Sequence, residues 1–197
     1  SGKSNPSMDM LEYLADTLKT SIEYLMETEE YQAEKICIYF ENMAEACMID
    51  DDLGSAERNI DMSIYYAEKY NLEYRKAKNL YFKGKIHNKR EEYTAAQEFF
   101  LSANAIFIRL NKYEDTINTL LSLGKVTYKL RAYHSAISYF QQAEKVYCDN
   151  EIGNDMLIAE IYYHIALTYY KLGHIEKSIN YSFLAKQKFD QLGNKRS

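Results

Sequence analysis

The feature that most limits what this chain can fold into is an internal repeat. Gly84 is followed by Tyr93, Ala96, Phe100 and Ala103, and Gly124 is followed at the same offsets by Tyr133, Ala136, Phe140 and Ala143. Two weaker copies keep the frame: Ala44, Leu53, Ala56, Ile60 and Ser63 before them, and Ala166, Ile175, Ser178, Ser182 and Ala185 after them. The small residue that opens each unit recurs at spacings of 40, 40 and 42. A period in this range marks a stack of supersecondary units, none of which can bury its own apolar face alone. Each unit reads as two helices. The first carries Gly or Ala where its partner crosses closely, because a larger side chain holds two backbones apart. The second places Ala, a bulky residue and Ala at i, i+4 and i+7, one stripe of a 3.6-residue period. Leu120, Leu123, Tyr162 and Ile165 are the matching knobs on first helices. Between them lie short polar turns: Asp50-Asp51-Asp52, Arg90-Glu91-Glu92, Lys129-Leu130-Arg131 and Leu172-Gly173-His174. The predicted fold is all-α, a superhelix of about four antiparallel helix pairs.

Composition agrees. One Pro and 7 Gly in 197 residues exclude a many-stranded sandwich or barrel, which needs frequent turn punctuation. No apolar run approaches the length of a membrane span, and the first residues lack the apolar core of a signal peptide, so the expected location is cytoplasmic. Three cysteines (Cys37, Cys47, Cys148) lie in apolar helical patterns with no C-x-x-C pair and read as reduced, buried thiols. The four histidines form no zinc-ligand spacing, so no metal and no cofactor is expected. The net charge of −5 is unevenly spread: residues 1–62 are strongly acidic and residues 63–197 are basic on balance, so a polar partner is expected on the latter part. No nucleophile–base pair or paired carboxylates can be argued from spacing, and the chain is expected not to be an enzyme.

The repeat resembles the tetratricopeptide repeat, with its small residue in the first helix and its ladder of Ala and aromatic residues on the second. The resemblance runs from about Glu34 to Gln191. The longer period implies helices longer by a turn or two, which the absence of a Pro after each second helix allows.

Residues 1–27 stand outside the repeat. Ser7 is a plausible helix cap, Leu11, Leu14, Ala15 and Leu18 form a helical stripe, and Thr20-Ser21-Ile22-Glu23 reads as a capping box for a second short helix. Gly2-Lys3-Ser4 looks like the end of a Walker A loop but lacks the strand and upstream glycine that loop requires. With Gly2, Pro6, Ser7, Leu11, Ala15, Leu18, Ser21, Ile22 and Leu25 in place, the segment resembles the last two helices of an Xre-type helix-turn-helix domain. The resemblance implies that the recognition helix would precede Ser1, that the domain is truncated, and that this chain by itself does not read DNA. The expected division is therefore residues 1–27, a helix-turn-helix remnant, and residues 28–197, the repeat domain.

Together the two halves resemble the peptide-sensing transcription factors of the PlcR, PrgX, NprR and Rgg kind. The resemblance implies a homodimer whose repeats bind a short signalling peptide in a concave groove and so control DNA binding through the helix-turn-helix. The Rap relatives share the repeats but carry a helical bundle in place of the DNA-binding domain, so a Rap protein is not expected here. Projecting helical periodicity from each small residue places Lys78, Tyr81, Lys85, Asn88 and Lys89 on the groove wall in the second unit. The third contributes Asn118, Leu121, Lys125, Tyr128 and Lys129, and the fourth Glu160, Tyr163, Leu167, Tyr170 and Lys171. Asn can pair both backbone groups of an extended peptide, Tyr offers rigid apolar area with a polar tip, and the lysines favour acidic groups. The alternative is a protein–protein interaction scaffold with no small ligand. A dimer contact is expected on the final helix, Ile175 to Leu192, which exposes Phe183, Leu184 and Phe189.

Overall fold

A computed structural model describes residues 8–19 and 29–194. Among them are nine helices and no strand: α1 (Met8–Leu18), α2 (Glu29–Ile49), α3 (Leu53–Lys69), α4 (Glu73–Lys89), α5 (Tyr93–Arg109), α6 (Tyr113–Lys129), α7 (Tyr133–Asp149), α8 (Asp155–Lys171) and α9 (Ile175–Asn194). From α2 onward they form four antiparallel pairs, each packed on the next. The second short helix expected near Thr20 lies outside the described residues. In α1, Tyr13 and Leu18 are exposed.

The period follows from the parts. The helices from α3 to α8 are each 17 residues long, and two of them with two three-residue turns make one repeat of forty. The longer connection between α7 and α8, Asn150 to Asn154, supplies the two extra residues of the last repeat. Each of the seven turns after α2 to α8 closes in the same way. One residue adopts left-handed backbone geometry: Asp51, Asn71, Glu91, Asn111, Arg131, Glu151 and Gly173, at φ from 50° to 77°. The next residue's N–H then returns to the carbonyl five residues back, as from Glu92 to His87 and from Ala132 to Thr127, both 2.9 Å. This six-to-one bond satisfies a carbonyl that the helix end leaves open. Asp52 also caps α3, its carboxylate accepting from the Ser55 N–H at 2.9 Å.

The largest apolar cluster joins α5 to α8 through Phe100, Leu120, Leu123, Val126, Phe140, Ile158, Ile161 and Ile165. Ala96, Ala103, Ala136 and Ala143 are fully buried, so the Ala ladder does bring the helices together. A smaller cluster of Ala44, Ala56, Ile60 and Ile86 ties α2, α3 and α4. In the two units opened by Gly, the small residue faces the Phe of the second helix. A Cβ at Gly84 would stand 2.6 Å from the Phe100 ring, and one at Gly124 would stand 2.6 Å from Phe140 Cδ1 and Cζ. The expectation of three buried thiols needs correction: Cys37 is buried, Cys47 is half-buried, and Cys148, in the last turn of α7, is exposed.

Candidate binding groove

The first helices of successive pairs (α2, α4, α6, α8) approach closely enough for their side chains to bridge, and so form the inner wall of the superhelix. The Arg75 guanidinium on α4 donates to Glu34 at 3.0 Å and to Glu41 at 3.2 Å, both on α2. Tyr74 Oη donates to Asp115 on α6 at 3.0 Å. Tyr81 on α4 shares a hydrogen bond of 3.2 Å with Ser122 on α6. Lys125 on α6 donates to Glu160 on α8.

Between α2 and α4 the wall opens into a pocket of about 250 Å³ lined by Glu41, Asn42, Glu45, Lys78, Tyr81, Phe82 and Lys85. Three of the residues expected on the wall meet here: Lys78, Tyr81 and Lys85. Neither lysine has a carboxylate partner among the described residues. The Lys85 ammonium lies over the Phe82 ring at 4.8 Å, and that of Lys78 is 6.0 Å from the Tyr74 ring, so both charges remain available to a ligand. Opposite them, Glu41 gives one oxygen to Arg75 while its Oε1 is buried without a partner. Burial raises the pKa of Glu41 against the opposing pull of Arg75 and Lys78.

The other expected wall residues are placed unequally. Asn88 and Asn118 are exposed. Lys125 is occupied by Glu160; His164 Nε2 lies 3.8 Å from the same carboxylate, and His164 and Lys125 together lower its pKa to about 2. Tyr128 packs edge-on against Tyr133 at 5.3 Å, and Lys89 is held by Asp51 and the Met48 carbonyl. Tyr163 and Tyr170 are 48% and 61% exposed, with Leu167 half-buried between them. Leu121 is a correction. At 2% exposure it belongs to the core, because a residue three before Gly124 lies only about 60° around the helix from the packing stripe. Sequence reasoning missed Glu41, Asn42 and Glu45. The signal was present, since Ala44 opens the first unit and the offsets that give Tyr81 and Lys85 give Glu41 and Glu45 there.

No helix among the described residues is long and apolar enough to cross a membrane, and none of their His, Cys, Asp and Glu residues gather in a group of three or more able to hold a metal ion. Tetratricopeptide-repeat models match residues 75–149 and 159–182. No curated protein sequence matches the chain. Solved structures do. Aspartyl phosphate phosphatase F from Bacillus subtilis superposes with a TM-score of 0.76 at 16% identity, over 94% of this chain and 47% of its own length. The signal transduction ATPase (STAND) protein with a tetratricopeptide repeat sensor from Pyrococcus horikoshii gives 0.75 at 27%, over 95% and 28%. Bacillus thuringiensis PlcR, in complex with the peptide PapR7 and DNA, gives 0.54 at 15%, over 96% and 82%. This chain thus spans about half of the phosphatase and under a third of the ATPase. By its matched residues and by its fold, the chain is an all-α tetratricopeptide-repeat superhelix.

Proposed function

We propose that this chain is the sensory and dimerisation domain of a transcriptional regulator, and that it binds a short linear signalling peptide in the groove formed by α2, α4, α6 and α8. The observation that carries the reading is the pocket between α2 and α4, where two unpaired lysines face a carboxylate oxygen that lacks a donor. An extended peptide offers both N–H donors and acidic or carbonyl acceptors, and so suits both walls. The likeness to PlcR, solved with a peptide and DNA, supports the same direction. In this proposal the groove binds and does not catalyse, the protein works in the cytoplasm, and DNA is reached only through a helix-turn-helix to which residues 1–27 belong. A homodimer would form through α9, whose Ile179 and Phe183 are 62% and 68% exposed. Those two residues also favour the second reading, a scaffold for a larger folded partner.

The test is to pan the chain against a display library of random linear nonapeptides and to titrate the enriched peptides by fluorescence anisotropy. Saturable binding is expected, weakened at least tenfold in Lys85→Glu and measurably in Asn118→Ala. Lys145→Glu on α7, away from the wall, should leave it unchanged. Absence of saturable binding would overturn the peptide reading. Equal affinity in both wall variants would overturn the groove assignment.

A further inference from the structure

Once the ion pairs within the wall are cancelled, the remaining charge is ordered along the groove. On α2, Glu34 and one oxygen of Glu41 are taken up by Arg75. Glu41 Oε1 stays buried without a partner, and Glu45 is exposed in the same pocket with no cation paired to it among the described residues. On α4, Lys78 and Lys85 hold uncompensated positive charge, two turns apart on one face. On α6 the mid-wall charge is cancelled, because Lys125 is paired with Glu160 of α8 and Asn118 is neutral. On α8, beyond that pair, Tyr163, Leu167 and Tyr170 present apolar and aromatic surface. From α2 to α8 the middle of the wall therefore runs acidic, basic, neutral, aromatic, with the exposed Lys129 and Lys171 at the helix ends that form one rim.

We propose that the groove selects its peptide by charge order, taking a cationic group against Glu41 and Glu45 on α2, an acidic side chain against Lys78 and Lys85 on α4, and apolar side chains against Tyr163, Leu167 and Tyr170 on α8. This rests on the peptide-binding reading above and adds to it the class of peptide. The physical grounds are separate at each position. A cationic group at α2 meets the exposed Glu45 carboxylate and is drawn also by Glu41 behind it, whose Oε1 is buried without a donor. An acidic group at α4 meets two ammonium groups that form no ion pair among the described residues, Lys78 being drawn only through space toward Glu41, and the wrong sign there is rejected by like-charge contact. At α8 the exposed tyrosine rings gain from covering by apolar groups. Packed helices lie about 8–10 Å apart and an extended chain advances about 3.3 Å per residue. One step between neighbouring first helices therefore takes about three residues, and the whole wall takes about nine.

The order reads the same from either end of a peptide, so the decisive change is exchange of the charged blocks and not reversal. Peptides selected from the random nonapeptide library by the native chain should carry Lys or Arg about three positions from Asp or Glu, with the apolar block on the acidic side. Exchanging the acidic and basic residues of a selected peptide should weaken it at least tenfold. The Glu45→Lys/Lys85→Glu variant changes one exposed and one half-buried position on the pocket wall, keeps the net charge and should keep the native melting temperature. Panned in parallel, it carries one charge of each sign on α2 and on α4 and should lose the charge order that the native chain selects. Glu41→Gln, which preserves shape, should relax selection for the cation alone. Selected peptides without this order, or the same order from both proteins, would overturn the charge-order proposal and leave peptide binding intact. Failure of the native protein to enrich any peptide would overturn both.

Discussion

Replacing Gly124 by alanine would ordinarily stabilise a helix interior by about 1 kcal/mol. Here it should destabilise. The new methyl would lie 2.6 Å from Cδ1 and Cζ of Phe140, about 1 Å inside the separation at which carbon atoms attract. The ring has little room to retreat. It is fully buried, and its other face is stacked on His164 at a centroid distance of 5.3 Å and an angle of 14°. Overpacking of a closed core costs roughly 3 kcal/mol at its upper range, which leaves a net loss of about 2 kcal/mol. For a chain of this size that lowers Tm by roughly 4–8 °C, measurable by circular dichroism at 222 nm. The chain contains its own control. Where the opening residue is Gly it faces Phe, at Gly84–Phe100 and Gly124–Phe140. Where it is Ala the residue in the frame position of Phe is smaller, at Ala44–Ile60 and Ala166–Ser182. Gly124→Ala should therefore be relieved by Phe140→Ile, with the double variant more stable than the sum of the single losses by at least about 1 kcal/mol. A Gly124→Ala protein as stable as the native one, or strictly additive losses, would refute the claim that the Phe140 ring leaves no room for a methyl at this position.

Three further outcomes can be checked. The folded pKa of Glu160, about 2, lies below its unfolded value, so its contribution is complete above the ordinary carboxylate range and is lost as pH falls from about 4.5 to about 2. With the side chain 38% exposed, screening reduces this to about 1 kcal/mol. Glu160→Gln should show a shallower decline than the native chain in acid-titrated urea melts, and an unchanged slope would contradict the pairing. Asn79 is fully buried, donates to Ser63 Oγ at 2.7 Å and leaves its Oδ1 without a partner. Because Ser63 keeps its bond to the Cys37 carbonyl, Asn79→Leu should raise stability by about 1 kcal/mol in urea, and a loss would show that the amide matters to the packing. Arg131 sits at φ 61°, a geometry hostile to β-branched side chains. Arg131→Val should lower stability by about 1 kcal/mol while Arg131→Gly stays near neutral, and thermal melts that rank the two alike would count against the turn geometry.

The fold was largely legible in the sequence because one contact, a small residue facing a bulky one, is repeated with little drift and carries the helical period with it. The groove was legible only in part. Positions such as Lys85, one residue after Gly84, lie about 100° from the packing stripe and reach the wall. Positions three residues before the small residue lie on the border between core and groove, and neighbours decide their fate: Leu121 is buried, Tyr81 half-buried and Tyr163 exposed. The pairing of Lys125 with Glu160 joins two units, so the periodicity of either alone cannot show that the lysine is neutralised. The exposed Cys148 escaped for a related reason, since an apolar pattern does not say where the next helix stops covering it.

The junction between α3 and α4 differs from the one between α7 and α8. Ile86 plugs it, but around that plug stand Lys83–Asp61 at 2.7 Å, Arg90–Glu57 at 2.6 Å and the buried Asn79–Ser63 bond, whereas α7 and α8 meet mainly through aliphatic and aromatic side chains. Ion pairs near the surface weaken as salt screens them and apolar contacts do not. Salt should therefore act on the superhelix chiefly where α3 meets α4, and little where α7 meets α8. The pitch of the superhelix at the α3–α4 junction sets the distance between Glu41 and Lys85, so the width of the pocket should follow ionic strength while the aromatic end of the groove keeps its shape.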